Sequence, residues 1–249
     1  MNLQELLYKV SFVKIIGTTN IEVIDIAFDS RKVKATSLFV ALKGTQSDGH
    51  TYISQTINAG AKVIVLEDMP LKLDDNITYV KVEDSNIALG IIAANFYDNP
   101  SEKIKLVGVT GTNGKTTIVS LLTQLFSIMN VKVGMLSTIQ NKIIDKIIPS
   151  THTTPDALQI NFLLNEMIAQ GCEYCFMEVS SHAISQGRIS GIHFTGGVFT
   201  NLTREHLDYH NSFAEYRVVI KSFFDGLLKS SFAFTYIVVK IVMNMFVWS

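Results

Sequence analysis

Residues 104–109 form a short apolar run that leads into Gly111-Thr112-Asn113-Gly114-Lys115-Thr116-Thr117, after which apolar spacing of helical period continues to about residue 129. A strand, a glycine-rich turn and a helix in that order form a phosphate-binding loop. Glycines let the backbone curl until successive N–H groups point at phosphate oxygens, and the positive end of the following helix adds its field. Lys115 is placed to reach β/γ-phosphates, and the Thr116 hydroxyl to sit on Mg²⁺. The general pattern asks for a glycine where this chain has Val109, so only its second half is present. A strand that hands over to a helix in this way commits its neighbourhood to an α/β fold.

The same alternation runs on both sides of the loop. Residues 22–28 alternate apolar and polar and 37–42 are a compact apolar run, so both read as strands, with a turn around 31–36 between them. Residues 51–59 read as a helix closed by Gly60, 62–66 and 78–82 as strands, and 86–97 as a helix. Beyond the loop, 131–136 and 174–179 read as strands flanking a helix at 155–170, the pattern of a parallel sheet covered on both faces. Asp98-Asn99-Pro100-Ser101 punctuates the series. The chain has 249 residues, more than the roughly 100–200 of one domain. The organisation expected is therefore a small N-terminal α/β domain at 1–102, a central α/β domain at 103–234, and an apolar tail at 235–249.

Lys and Arg number 21 against 22 Asp and Glu, a balance that lacks the basic excess of a nucleic-acid or anionic-membrane surface. Any anionic ligand must be met locally. The start MNLQELLYKV carries no long apolar stretch ending in a small-residue cleavage site, and two cysteines cannot build a disulfide framework, so the expected compartment is the cytoplasm. Cys172 and Cys175 have a C-x₂-C spacing, and His182, His206 and His210 could add ligands; without a second close pair, core cysteines are the expectation rather than zinc.

Thr110-Gly-Thr-Asn-Gly-Lys-Thr-Thr117 resembles the shortened phosphate loop of the Mur ligases and the related folylpolyglutamate synthetases. Further stretches resemble the tripeptide-forming Mur ligases: Asp29-Ser30-Arg31-Lys32-Val33, Leu38-Phe39-Val40-Ala41-Leu42, Gly44 through Asp48-Gly49-His50, His152-Thr153-Thr154-Pro155, Met177-Glu178-Val179-Ser180-Ser181-His182, and the segment from Thr200-Asn201 to His210. The resemblance spans residues from about 20 to 230. It implies a monomeric enzyme that uses ATP and Mg²⁺ to add diaminopimelate or L-lysine to UDP-MurNAc-L-Ala-D-Glu through an acyl phosphate. By the same resemblance Gly111–Thr117 bind ATP, with Lys115, Glu178 and His206 catalytic and Thr116, Glu178 and His206 on Mg²⁺. Ser30, Thr45, Gln46 and Ser47 would hold the UDP part, and His152, Thr153, Thr154, Ser180, Gln186 and Arg188 the muramoyl-dipeptide end. Hydroxyls, amides and an arginine suit such ligands, since they offer directional and bidentate hydrogen bonds.

Two departures follow. The family places a lysine, carbamylated to help hold a second Mg²⁺, four residues after a tyrosine matching Tyr216; here that position is Ile220. Lys221 follows, but one residue turns a helical side chain by about 100°. From residue 235 the resemblance ends, so a truncated or frameshifted chain lacking the family's C-terminal domain is expected. Residues 232–248 are about 17 long with Lys240 and Asn244 inside, short of the roughly 20 apolar residues of a membrane span. The alternatives are a remnant that binds ATP or UDP-precursor without turnover, and a folylpolyglutamate synthetase-like ligase.

Overall fold

The apolar runs near residues 40, 64 and 80 become neighbouring strands in the first of two units in the computed structural model, which describes residues 1–249 apart from 45–46, 151, 204–208, 211 and 236–249. This unit comprises Met1–Asn99 with Ser190–Ile192. Its sheet contains β1 (Phe12–Ile16), β2 (Asp25–Ala27), β3 (Ser37–Val40), β4 (Val63–Leu66) and β5 (Thr78–Val82), in the order β1-β5-β4-β3-β2. The last four are mutually parallel and β1 is an antiparallel edge. Every residue of β3 and β4 is buried, as strands covered on both faces must be. One face carries Phe39, Ile64, Leu66 and Tyr79 against Ile53 of α2 (Ile53–Asn58). The α3 helix (Ser85–Phe96) is capped by Asp84, whose carboxylate accepts from the N–H groups of Asn86 and Ile87, and it buries Ala88, Leu89, Ile92 and Ala93. Its Asn95 amide donates to the carbonyls of Leu6 and Tyr8, tying down the end of α1 (Leu3–Leu6). The helix expected at 51–59 is shorter, because Asp48 caps a 3-10 turn at Gly49–Tyr52 before α2 begins. The strand expected at 22–28 narrows to β2.

The second unit comprises Pro100–Ile189 and His193–Ser249. In chain order it holds β6 (Lys105–Thr110), α4 (Lys115–Ile128), β7 (Val133–Leu136), β8 (Asn141–Ile143), β9 (Lys146–Ile148), α5 (Ala157–Ala169), β10 (Tyr174–Glu178), α6 (Ser181–Ser185), β11 (Gly196–Phe199), α7 (Phe213–Asp225) and β12 (Phe232–Thr235). The sheet order is β12-β11-β6-β10-β7-β8-β9. The first five strands are parallel; β8 and β9 are an antiparallel hairpin, so the sheet is mixed rather than wholly parallel. Val119 of α4 packs on Val107, Val133 and Phe176, placing the helix across β6, β10 and β7. Cys172 and Cys175 are buried, and burial pushes both thiols up in pKa, which suits core packing rather than thiolate chemistry. Among the described residues no helix is long and apolar enough to cross a membrane, and of the tail expected at 235–249 only Thr235 is described.

Candidate functional site

Parallel strands bring their C-terminal ends to one edge, where ligands of open α/β sheets bind. In the second unit β10 lies between β6 and β7, with Glu178 opposite Val109 and Met177 opposite Leu136. That order sets Glu178 between the loop after β6 and the hydroxyl pair Ser137-Thr138 after β7. The carboxylate is 1% exposed. It accepts from the Thr116 hydroxyl at 3.0 Å, the Thr138 N–H at 2.8 Å and the Thr138 hydroxyl at 3.2 Å. All three partners are neutral. A buried carboxylate with neutral partners and a cavity in front of it is an oxygen-rich station for a hard cation, and the donor set of Thr116 and Glu178 fits Mg²⁺.

The loop itself is held open by its glycines. Gly114 stands at φ +86° as the N-cap of α4 with no side-chain cap, which leaves the helix's positive end to the cavity. Lys115 donates to the carbonyls of Gly111 and Thr112, each at 2.7 Å. The Thr112 hydroxyl lies 3.1 Å from that of Tyr216, a fully buried side chain on α7.

Opposite the loop, the buried Thr154 donates its hydroxyl to the Glu178 carbonyl at 2.8 Å and accepts from the Ser180 N–H at 3.0 Å. Ser180 caps α6. Arg188 donates through Nη1 to the Thr154 carbonyl at 2.7 Å and through Nε and Nη2 to Gln186 Oε1 at 3.0 and 2.6 Å. Burial lowers its pKa from the usual value, yet a guanidinium remains charged at neutral pH. The resulting cavity, about 450 Å³, has Gly111 through Thr116, His152, Thr153, Thr154, Glu178, Ser180 and Arg188 in its walls. It offers cationic and amide donors at one end and an anion grip at the other. Of the sequence candidates in this unit, Thr117 is exposed on α4 and is not in the walls, Gln186 acts through Arg188, and His206 lies outside the described residues. Thr138, His182 and Tyr216 also line the cavity. Thr138 is legible only once β7 is known to neighbour β10.

In the first unit a cavity of about 600 Å³ is lined by Phe28, Phe39, Tyr52, Gln55, Ser30 and Ser47, among others. Aromatic walls with a few polar groups suit a planar base. Thr45 and Gln46 lie outside the described residues. Asp29 caps the turn Ser30–Lys32 and grips the Arg31 guanidinium at 2.9 and 2.8 Å, and that hydrogen bonding lowers its pKa to about 2. Asp48 accepts from the His50 backbone and lies 2.6 Å from its Nδ1, while His50 Nε2 accepts from the N–H groups of Glu67 and Asp68. Those two acceptor bonds put the proton on Nδ1 and tie the Asp48–His50 turn to the end of β4.

The position expected to carry a lysine does not. Ile220 is fully buried on the stripe of α7 that includes Tyr216, Phe223 and Phe224. Lys221 lies one residue round the helix and pairs with Asp225 at the surface, so it does not substitute for a lysine at Ile220.

The Mur ligase middle-domain model matches residues 109–246, and a second model, described as the Mur ligase family catalytic domain, matches residues 22–97. The first match runs past Phe234, where the sequence reading ended the resemblance. The UDP-N-acetylmuramoyl-L-alanyl-D-glutamate--2,6-diaminopimelate ligase of Cytophaga hutchinsonii is 53% identical over 234 residues, 94% of this chain and 48% of the relative. The enzyme of the same name from Bacteroides fragilis is 51% identical over 235 residues, again 94% of this chain and 48% of its own length. A solved structure of a ligase of that name is 24% identical with a TM-score of 0.77, covering 95% of this chain and 52% of the other, and shares its fold. The chain thus spans about half the length of the curated relatives it matches.

Proposed function

The chain belongs to the Mur ligase family, and from that membership we propose that it serves the ATP-dependent addition of a third amino acid, diaminopimelate or L-lysine, to UDP-MurNAc-L-Ala-D-Glu. The observation that carries this is the triad of Lys115, Thr116 and Glu178 beside Arg188 in one cavity. Lys115 and the α4 N-terminus take the β- and γ-phosphates of ATP. Arg188, with Thr154, Ser180, His152 and Thr153, holds the carboxylate end of the dipeptide, and Ser30 and Ser47 the UDP part. The substrate carboxylate attacks the γ-phosphorus and ADP leaves, giving an acyl phosphate; the incoming amine then attacks the acyl carbon, loses a proton and expels phosphate. Both anions meet in a poorly solvated cleft, so cationic charge must offset their repulsion. Mg²⁺ on Thr116 and Glu178 supplies part of it.

Exchanging Glu178 for glutamine keeps a side chain of the same size and removes the charge. Titration with ATP is then expected to lose its dependence on Mg²⁺ while the chain stays as stable as before; Mg²⁺-dependent binding by Glu178→Gln would remove the metal role.

A second reading, binding without turnover, is favoured by Ile220, which puts an apolar side chain at the family's lysine position. The two readings separate in one assay. Release of ADP and phosphate that requires ATP, UDP-MurNAc-L-Ala-D-Glu and diaminopimelate or lysine together supports the ligase. Calorimetric binding of ATP and precursor with no release supports the second reading, and binding of a folate in place of the precursor overturns both.

A further inference from the structure

Strand β11 is the parallel neighbour of β6, with Phe199 opposite Thr110, so the phosphate loop and the segment after β11 leave the sheet side by side. They are fastened together at one residue. The Thr112 N–H donates to the Asn201 carbonyl at 2.9 Å, the Asn113 N–H donates to Asn201 Oδ1 at 3.0 Å, and Asn201 Nδ2 donates back to the Asn113 carbonyl at 3.0 Å. Two residues on, the Thr203 N–H donates to the Thr112 hydroxyl at 2.9 Å. We propose that Asn201 is a positioning residue of the nucleotide site, holding Thr112 and Asn113 in the curl that turns the following loop amides and the α4 N-terminus toward phosphate.

The geometry of the loop supports this role. Two N–H groups of the loop are engaged by Asn201, which leaves anion recognition to Gly114, Lys115 and Thr116, the residues at the N-terminus of α4. The absence of a side chain at Gly111 is what lets the segment after β11 approach as a strap over the loop, since a Cβ there would lie 2.6 Å from the Asn201 carbonyl oxygen. A carboxamide is the group that can make both bonds to the backbone of one residue, accepting from the N–H and donating to the C=O of Asn113. Aspartate keeps the acceptor but faces that carbonyl with a second oxygen and adds negative charge beside the phosphates. Alanine keeps neither bond. Both side chains are exposed, so the substitutions leave no buried group unsatisfied and act on loop geometry rather than on the core.

This inference rests on the reading that the loop binds nucleotide. The test is calorimetric titration of the full chain and of its Asn201→Ala and Asn201→Asp variants with Mg-ATP, and separately with UDP-MurNAc-L-Ala-D-Glu, alongside their melting temperatures. Asn201→Ala is expected to weaken Mg-ATP about tenfold, the order of a lost hydrogen-bond pair, and Asn201→Asp to weaken it further. Precursor affinity and melting temperature are expected to stay as in the unsubstituted chain. Variants that bind Mg-ATP as tightly as the unsubstituted chain overturn the proposal, as does a parallel loss of ATP affinity, precursor affinity and melting temperature, which is the mark of a general structural role. Failure of the unsubstituted chain itself to bind Mg-ATP overturns the nucleotide reading, whatever the variants do.

Discussion

Replacing Lys115 with alanine is expected to lower Mg-ATP affinity by roughly a hundredfold or more, because removal of one member of a hydrogen-bonded charge pair with phosphate costs about 2–5 kcal/mol. The ammonium has two tasks in this loop. It donates to the Gly111 and Thr112 carbonyls, offsetting the crowding of carbonyl oxygens in a tight turn. It is also, among the described residues, the one lysine in the cavity walls, so on the proposed reading the β- and γ-phosphates would depend on it for a charge that neutral loop amides cannot replace. Lys115 is half-buried, and Gly111 and Thr112, whose carbonyls lose its two hydrogen bonds, are buried, so a loss of stability of about 1–3 kcal/mol is expected beside the loss of affinity. Arginine at this position keeps the charge but not the compact ammonium that fits between two carbonyls, and an intermediate affinity is expected. Equilibrium titration with Mg-ATP checks the series; an alanine variant that binds like the unsubstituted chain would remove Lys115 from the site.

Much of this arrangement is written in local patterns. The strands β3, β4, β6, β7 and β10 are largely buried on both faces and appear as mainly apolar runs, and the loop's strand–glycine–helix order announces itself. Other elements lack a local signal. The β8–β9 hairpin turns at Ile144-Asp145, and the residue at φ +54° is Ile144, where a turn normally shows Gly, Asn or Asp, so Asp145 alone is a weak turn cue. Strand β11 begins Gly196-Gly197, a pair that reads as a loop. The glycines are there because Phe232 packs over Gly196 and Phe223 and Phe224 over Gly197, leaving no space for a Cβ. Those aromatics come from elements that follow β11 in the chain, so no window around 196 contains the reason. The site divides in the same way. Lys115, Thr116 and Glu178 are legible because they follow strand ends, whereas Thr138 and Asn201 join them through neighbours in the sheet order β11-β6-β10-β7.

Gly111→Ala is expected to cost more stability than any other single substitution in the loop, although Gly114 is the glycine that the Gly-Lys-Thr signature emphasises. Gly111 sits at φ +129°, a conformation that side chains with a Cβ rarely adopt, and strain of this kind costs on the order of 1–3 kcal/mol. The added carbon also meets the Thr200 hydroxyl at 2.3 Å and the Asn201 carbonyl oxygen at 2.6 Å. The hydroxyl can rotate away. The carbonyl cannot move without breaking its bond from the Thr112 N–H, so overpacking adds about 1–3 kcal/mol more. Gly114 stands at φ +86° with no atom within 4 Å of its notional Cβ, so alanine there costs backbone strain alone, roughly 1 kcal/mol. On the proposed reading the open space beside Gly114 is where a phosphate would come close, and a methyl group would occupy it. Urea denaturation should therefore rank Gly111→Ala well below Gly114→Ala in stability, while titration with Mg-ATP shows Gly114→Ala losing affinity despite its nearly unchanged fold. Equal stability of the two variants would mean that the strap from Asn201 does not press on Gly111, and would undercut the positioning role assigned to it.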